Sequence, residues 1–226
     1  MRYLIILILA TVSFEVFSSS IHVPKDEEVS FDVIRKNKII GNLNTKFTKN
    51  GDEITLHSVL DISVKVLFFP AYQFYQETKE KWINGNLISI EGFTDFEDDR
   101  EYIIVGKDHE EYFIASGMDG ELKLDKNILP LNYWNIEMLK EDEVFDTQKG
   151  IIRQIKVEQK KDEEIEMNKL KIKANKFIFN ASKHPKDKGP FPEYTLWYYE
   201  NELIKMHFKN PKDKKLIKII RNDWGK

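Results

Sequence analysis

Over residues 54–68, apolar side chains occupy almost every second position: Ile54, Leu56, Leu60, Ile62, Val64, Val66 and Phe68. Ser58 alone breaks the series, and Thr55, His57, Asp61, Ser63 and Lys65 fill most of the opposite parity. Side chains alternate across a β-strand, so this run buries one face along its whole length. At a rise of about 3.4 Å per residue it extends on the order of 50 Å, far beyond the usual strand of about 5–6 residues. A strand that long curls, and a curled antiparallel sheet encloses either a core or a cavity. The expected fold is therefore mainly β: a strongly curved antiparallel sheet, half-barrel or open barrel.

The flanking sequence supplies neighbouring strands. Residues 31–34 and 39–48 read as a pair joined by a turn at Lys36-Asn37-Lys38, and Asn50-Gly51 turns the chain into the long strand. Residues 72–83 return, Asn84-Gly85 makes another hairpin turn, and 87–96 follows, with shorter strands at 102–105, 111–115 and 121–124. Such short connections favour a meander. One short helix is expected near 132–140, capped by Asn132, with Trp134, Ile136, Met138 and Leu139 on one apolar face that plugs an opening of the sheet. Strands resume at 152–157, 165–172, 176–180, 194–199, 203–208 and 216–220. Pro185, Gly189, Pro190 and Pro192 make 184–192 a loop.

A chain of 226 residues with 41% hydrophobic content can bury one sizeable core. Met1-Arg2-Tyr3 followed by the apolar stretch 4–12 has the form of a secretory signal. Ser13 and Glu15 interrupt it too early for a membrane span of about 20 apolar residues. The expected organisation is a signal peptide at 1–20, a polar leader at 21–30 and a single β-rich domain at 31–221, exported to the periplasm and without a membrane span in the mature chain. The absence of cysteine excludes disulfides, a lipid-modified cysteine, thiolate metal sites and a thiol nucleophile. The net charge of −3 mixes many charges of both signs and does not argue for nucleic acid. The lysines of 205–221 read first as a solvated face and second as a contact with an anionic membrane, and strand edges also favour Lys as protection against pairing.

Chemistry-bearing patterns are sparse. The histidines at 22, 57, 109, 184 and 207 lack ligand spacing, so no metal site is expected. The acidic run Asp95, Glu97, Asp98 and Asp99 lacks the spacing and central Gly of a calcium loop and reads as a turn. No phosphate loop, nucleophile elbow or metalloprotease pattern occurs, so no catalytic residue and no cofactor are assigned. Asp146-Thr147-Gln148 before Gly150 is an unusual polar cluster in an apolar setting. It reads first as a turn in which Asp146 bonds to a backbone amide two residues on, and second as a ligand contact. Aromatics form two groups, one from Phe68 to Trp82 and one comprising Trp134, Phe191, Tyr194, Trp197, Tyr198 and Tyr199. Such groups pack cores, and they also line clefts for apolar ligands.

Several landmarks together resemble a bacterial family catalogued as domain of unknown function 6134. They are Leu129-Pro130 to Trp134-Asn135, Asp146-Thr147-Gln148 with Gly150, and Leu196-Trp197-Tyr198. Asp32-Val33 with Gly41, Asp61-Ile62 to Leu67-Phe68, and Trp82, Gly85 and Leu87 agree as well. The resemblance runs over 31–208 and departs at Tyr199-Glu200, where an acidic residue usually follows Trp-Tyr directly. It implies an exported, mostly periplasmic protein with a curved antiparallel sheet, similar in architecture to half-barrel lipoprotein carriers that hold an acyl chain.

The leading functional expectation is a non-enzymatic envelope protein that binds a lipid or other apolar or amphipathic molecule within the curved sheet. Its expected contacts are Phe68, Tyr72, Trp134, Asn135, Asp146, Gln148 and Trp197. One alternative is a hydrolase acting on envelope lipid or glycan, with Asp146, Gln148 and Asn135 as its polar centre. Another is a structural module that pairs through an exposed strand edge.

Overall fold

In the computed structural model, which describes residues 21–66, 69–96, 101–211 and 213–224, fourteen strands form one antiparallel sheet. The first eight are β1 (Glu28–Arg35), β2 (Lys38–Asn50), β3 (Glu53–Val66), β4 (Phe69–Ile83), β5 (Asn86–Phe96), β6 (Glu101–Asp108), β7 (Phe113–Gly117) and β8 (Gly120–Leu124). The remainder are β9 (Glu143–Asp146), β10 (Ile151–Met167), β11 (Leu170–Ala181), β12 (Tyr194–Tyr199), β13 (Glu202–Lys209) and β14 (Leu216–Arg221). The spatial order runs from β8 down to β1, then β14 down to β9. The chain therefore starts at the middle of the sheet, winds out to the β8 edge, crosses to the β9 edge, and winds back until β14 pairs with β1.

The long alternating run is β3, which pairs with β2 and β4 over most of its length. Ile54, Leu56 and Ile62 point into the core. Ser58, the polar exception on that face, shares a hydrogen bond with Thr45 on β2 at 2.9 Å. The main core lies on the concave face, with Trp82, Ile90, Ile104, Phe113, Met138 and Phe145 fully buried.

Three expectations change. The strand expected at 152–157 and the start of the one expected at 165–172 belong to one 17-residue strand, β10, because the charged run between them stays in the sheet, with a bulge between Lys160 and Glu163 and its side chains mostly in solvent; the rest of 165–172 is the turn and the start of β11. Asn168 and Lys169, at φ 47° and 70°, make the hairpin turn. The helix is a single 3-10 turn, Ile136–Lys140, and its cap is Asn135, whose Oδ1 accepts from Glu137 N at 3.2 Å. Asn132 cannot cap it: Tyr133 at φ 55° redirects the chain, and the Asn132 amide donates to Glu80 instead. Trp197 and Tyr199 leave the aromatic group that holds Tyr198. Trp197 joins Ile165, Met167, Ala174 and Ile204 in a smaller cluster on the opposite face, where the far half of the β10–β11 hairpin covers β12 and β13.

The crossing segment 125–142 bridges the two edges of the sheet. Leu131 N donates to Phe145 O at 2.8 Å and Phe145 N to Leu129 O at 2.9 Å, so 129–131 runs beside β9 as a short parallel cover. The β7–β8 turn then meets the β9–β10 turn, where Met118 N donates to Lys149 O at 2.7 Å. Gly117 and Gly150 touch backbone to backbone, and a Cβ on Gly150 would lie 2.5 Å from Gly117 Cα. Among the described residues no helix is long and apolar enough to cross a membrane.

Gly117→Ala is expected to lower urea-unfolding stability by about 3 kcal/mol, because its methyl collides with backbone that cannot yield. Gly120→Ala, whose methyl meets open space, should cost only about 1 kcal/mol of left-handed strain. Equal losses at the two positions would show that the seam contact contributes nothing.

Candidate functional site

Where the two ends of the sheet meet, four charges, three of them buried, form a tie. Arg153 on β10 donates from Nε to Asp146 Oδ2 at 2.5 Å and from Nη1 to Asp187 Oδ2 at 2.9 Å. Lys149 Nζ donates to Asp187 Oδ1 at 2.7 Å. Arg153, Asp146 and Asp187 side chains are less than a tenth exposed. Burial raises the Asp187 carboxyl, but hydrogen bonds from Arg153 and Lys149 outweigh it and hold the group well below the ordinary carboxylate range. The same proline-rich loop reaches the β7–β8 turn, where His184 and Lys186 contact Asp119 at 2.8 and 2.6 Å. Asp146 Oδ1 accepts from Gln148 N at 2.8 Å, the turn bond read from the sequence. Both carboxylate oxygens of Asp146 are thus engaged inside the protein.

Aromatic rings flank this tie on both walls. On one side Lys149 Nζ lies 5.5 Å from the Phe96 ring centroid and 5.9 Å from that of Tyr102, and Phe96 meets Phe74 edge-on at 5.0 Å. On the other, Arg153 stacks over Phe191 at 4.9 Å. Phe191 leads into a chain of rings through Tyr194, Tyr133 and Phe179 with centroids 5.3–6.3 Å apart. Tyr72, Tyr133, Phe191 and Tyr194 all remain partly exposed while packing on the core. The Tyr133 and Tyr194 phenols lie close enough to perturb each other. Burial pushes both phenols up, Asp146 pushes in the same direction, and Tyr72 adds to the rise at Tyr194. Gln148 Nε2 donates to Gln76 Oε1 at 3.3 Å, and Gln76 Nε2 to Thr147 Oγ1 at 3.2 Å. Tyr72, Asp146 and Gln148, expected as contacts from the sequence, therefore belong to one region.

A second polar cluster lies deeper, towards the opposite end of the strands. Glu80 on β4 is buried and accepts from Trp82 Nε1 at 2.9 Å and from Asn132 Nδ2 at 3.2 Å. Burial dominates these bonds and pushes its carboxyl up to about 7. Trp134 Nε1 faces the same carboxylate without a hydrogen bond of ordinary geometry, and Asn132 Oδ1 is buried without a partner. A cavity of about 30 Å³ adjoins them, lined in part by Phe31, Thr45, Ser58, Asn132 and Trp134. It has room for roughly two water molecules. Trp134 itself is wedged edge-on between Phe47 and Trp82 at 5.4 and 5.9 Å.

Trp134 therefore stands apart from Tyr72, Asn135 is occupied as a helix cap, Trp197 is on the other face, and Phe68 is outside the described residues. Glu80 and Arg153 were not anticipated, although each occupies the apolar parity of its strand, with Phe74 on β4 and with Ile151 and Ile155 on β10. Asp187 comes from the irregular loop, where no periodicity marks it. Among the described residues no three His, Asp or Glu side chains form a group able to hold a metal ion.

A family model described as "Domain of unknown function (DUF6134)" matches residues 31–221. A comparison with curated proteins gives no match. Among solved structures, the chain is similar to a beta-barrel-like protein of domain of unknown function DUF1849 from Brucella abortus. The identity is 11% and the TM-score 0.57, covering 87% of this chain and 97% of the other, a likeness of fold alone.

Arg153→Ala is expected to cost about 3–5 kcal/mol in urea unfolding, since it leaves Asp146 buried without a counter-charge and Asp187 with Lys149 alone. A loss below about 1 kcal/mol would mean that the tie is not buried in solution. Glu80 predicts a pH effect of defined sign. Between the ordinary value of 4.5 and about 7 the folded chain holds a proton that the unfolded chain has released, so stability falls as pH rises through that window. His207, lowered to about 4 chiefly by burial, acts in the opposite direction between 4 and 6.5. The test is therefore the difference between Glu80→Gln and the parent chain. The variant should gain on the order of 3 kcal/mol relative to the parent between pH 5 and pH 8, and parallel pH profiles would refute a neutral Glu80.

Proposed function

The chain belongs to the DUF6134 family, and from that membership and the geometry at its seam we propose that it is an exported, non-enzymatic envelope protein that binds an amphipathic molecule at the aromatic end of its curved sheet. The observation that carries this reading is the convergence of partly exposed rings from separate parts of the chain: Tyr72 from β4, Tyr133 from the crossing segment, Phe191 from the loop and Tyr194 from β12. Apolar ring faces with hydroxyls and amides behind them suit a ligand with an apolar body and a hydrogen-bonding head. The apolar start of the chain at 4–12 supports export to the periplasm.

The deeper interior supports a ligand held at this end and not one threaded through the sheet. Trp82, Trp134 and Phe47 fill the space beneath the β2–β5 wall, and the adjoining cavity admits water alone. The engaged oxygens of Asp146 and Asn135 favour binding over catalysis, because neither is free to activate a substrate.

Native mass spectrometry of the protein taken gently from an envelope fraction of its own host, followed by extraction, is expected to release a defined amphiphile. Tyr72→Ala combined with Phe191→Ala should lose most of that ligand, while Trp197→Phe, on the other face, should retain it. A bare parent protein that also ignores added fatty acids and phospholipids would refute the proposal.

A further inference from the structure

Register places a mixed cationic and aliphatic patch on the convex face at the β1–β2 and β13–β14 turns. Lys218 on β14 is opposite both His207 on β13 and Ile34 on β1, and Ile34 is opposite Ile39 on β2. One row nearer the turns, Lys209 is opposite Leu216. The inward parity of β14 belongs to Ile217 and Ile219, both in the core, so Leu216 and Lys218 face out. Strands about 4.8 Å apart put Ile39 and Leu216 within roughly 10–15 Å of each other. Ile39 is 65% exposed and Leu216 42%, and isolated exposure of this kind is ordinary on a protein surface. Their setting is less ordinary.

Lys36, Lys209 and Lys215 are exposed around these two aliphatics, and Lys205 continues the cationic row towards Trp197. Asp213 at the turn is shared between Arg35 and, at 4.0 Å, Lys215, and Asp32 accepts from Asn222. Lys36 and Lys215 crowd each other: contact with the Lys215 ammonium and repulsion from it draw Lys36 below its ordinary value. Like charges held together around exposed apolar side chains suit a surface that supplies many anions and an apolar layer beneath them. A second copy of this face would repel the first.

We infer that this convex corner docks on an anionic phospholipid surface, with Ile39 and Leu216 entering the headgroup layer and Lys36, Lys209, Lys215 and Lys218 facing lipid phosphates. The contact is separate from the amphiphile site, which opens on the concave face.

Co-sedimentation of the purified protein with phosphatidylcholine vesicles, with and without phosphatidylglycerol, tests it. Binding is expected with the anionic vesicles alone and should weaken as salt shortens the reach of the charges. Lys36→Glu with Lys215→Glu should reduce it about 25-fold or more, at about fivefold for each basic group lost. Ile39→Ser with Leu216→Ser should reduce it while leaving the unfolding midpoint unchanged. Equal binding to neutral vesicles, no binding to either, or variants that bind like the parent would each overturn the inference. Loss of vesicle binding in dilute inorganic phosphate would also overturn it, by assigning the lysines to a free anion.

Discussion

Everything else in this molecule depends on how its sheet disposes of two unpaired edges. Fourteen strands in one sheet leave β8 and β9 each with a row of backbone groups that water or another chain would otherwise satisfy. Barrels remove edges by strand pairing, whereas this sheet curls until the edges lie close and joins them with other material. The crossing segment covers β9, two glycines allow the turns to touch, and the Arg153 tie draws in the loop that spans the seam. Side-chain charge replaces a backbone ladder, and this places partly exposed aromatic rings beside a line that hydrogen-bonded strands do not seal.

The general architecture was legible because alternation is a direct image of a strand. The run 54–68, the Asn-Gly turns and the short spacings gave a curved antiparallel meander, and β1 to β8 follow that reading closely. The errors arose where charge obscured alternation. Residues 158–164 contain nothing apolar, so the middle of β10 looked like a break, although its pairing with β11 resumes beyond a bulge between Lys160 and Glu163. Asn132 offered a plausible cap from its residue type, but a buried carboxylate on β4, 52 positions away, claimed its amide. Local propensity cannot register such a competitor.

The candidate site was legible only in part. Asp146, Gln148 and Tyr72 stood out as polar or aromatic residues in unusual settings, and the fold gathers them. The residues that organise the region carried a quieter signal, a charge on the wrong parity. Glu80, Arg153 and Arg221 each interrupt the inward-facing row of a strand, and each is buried and hydrogen-bonded by partners distant in the chain. A charge at such a position must find a counterpart or forgo its ionisation. Arg153 and Arg221 have carboxylates, whereas Glu80 has only neutral donors, which is why its proton is held to about 7.

The pairing of β1 with β14 also sets a schedule for folding. Within this sheet β1 is made before the other strands and is completed on one side by β2, but its other side waits for β14, the strand of the sheet made last. Until it arrives, the middle of the future sheet is an open edge, and no amount of early hairpin formation can close it. A chain of this topology is synthesised with the centre of its sheet unfinished. It needs protection from self-association until that centre closes, and its six-residue β14 acts as the last tooth of a zip that joins two otherwise complete halves.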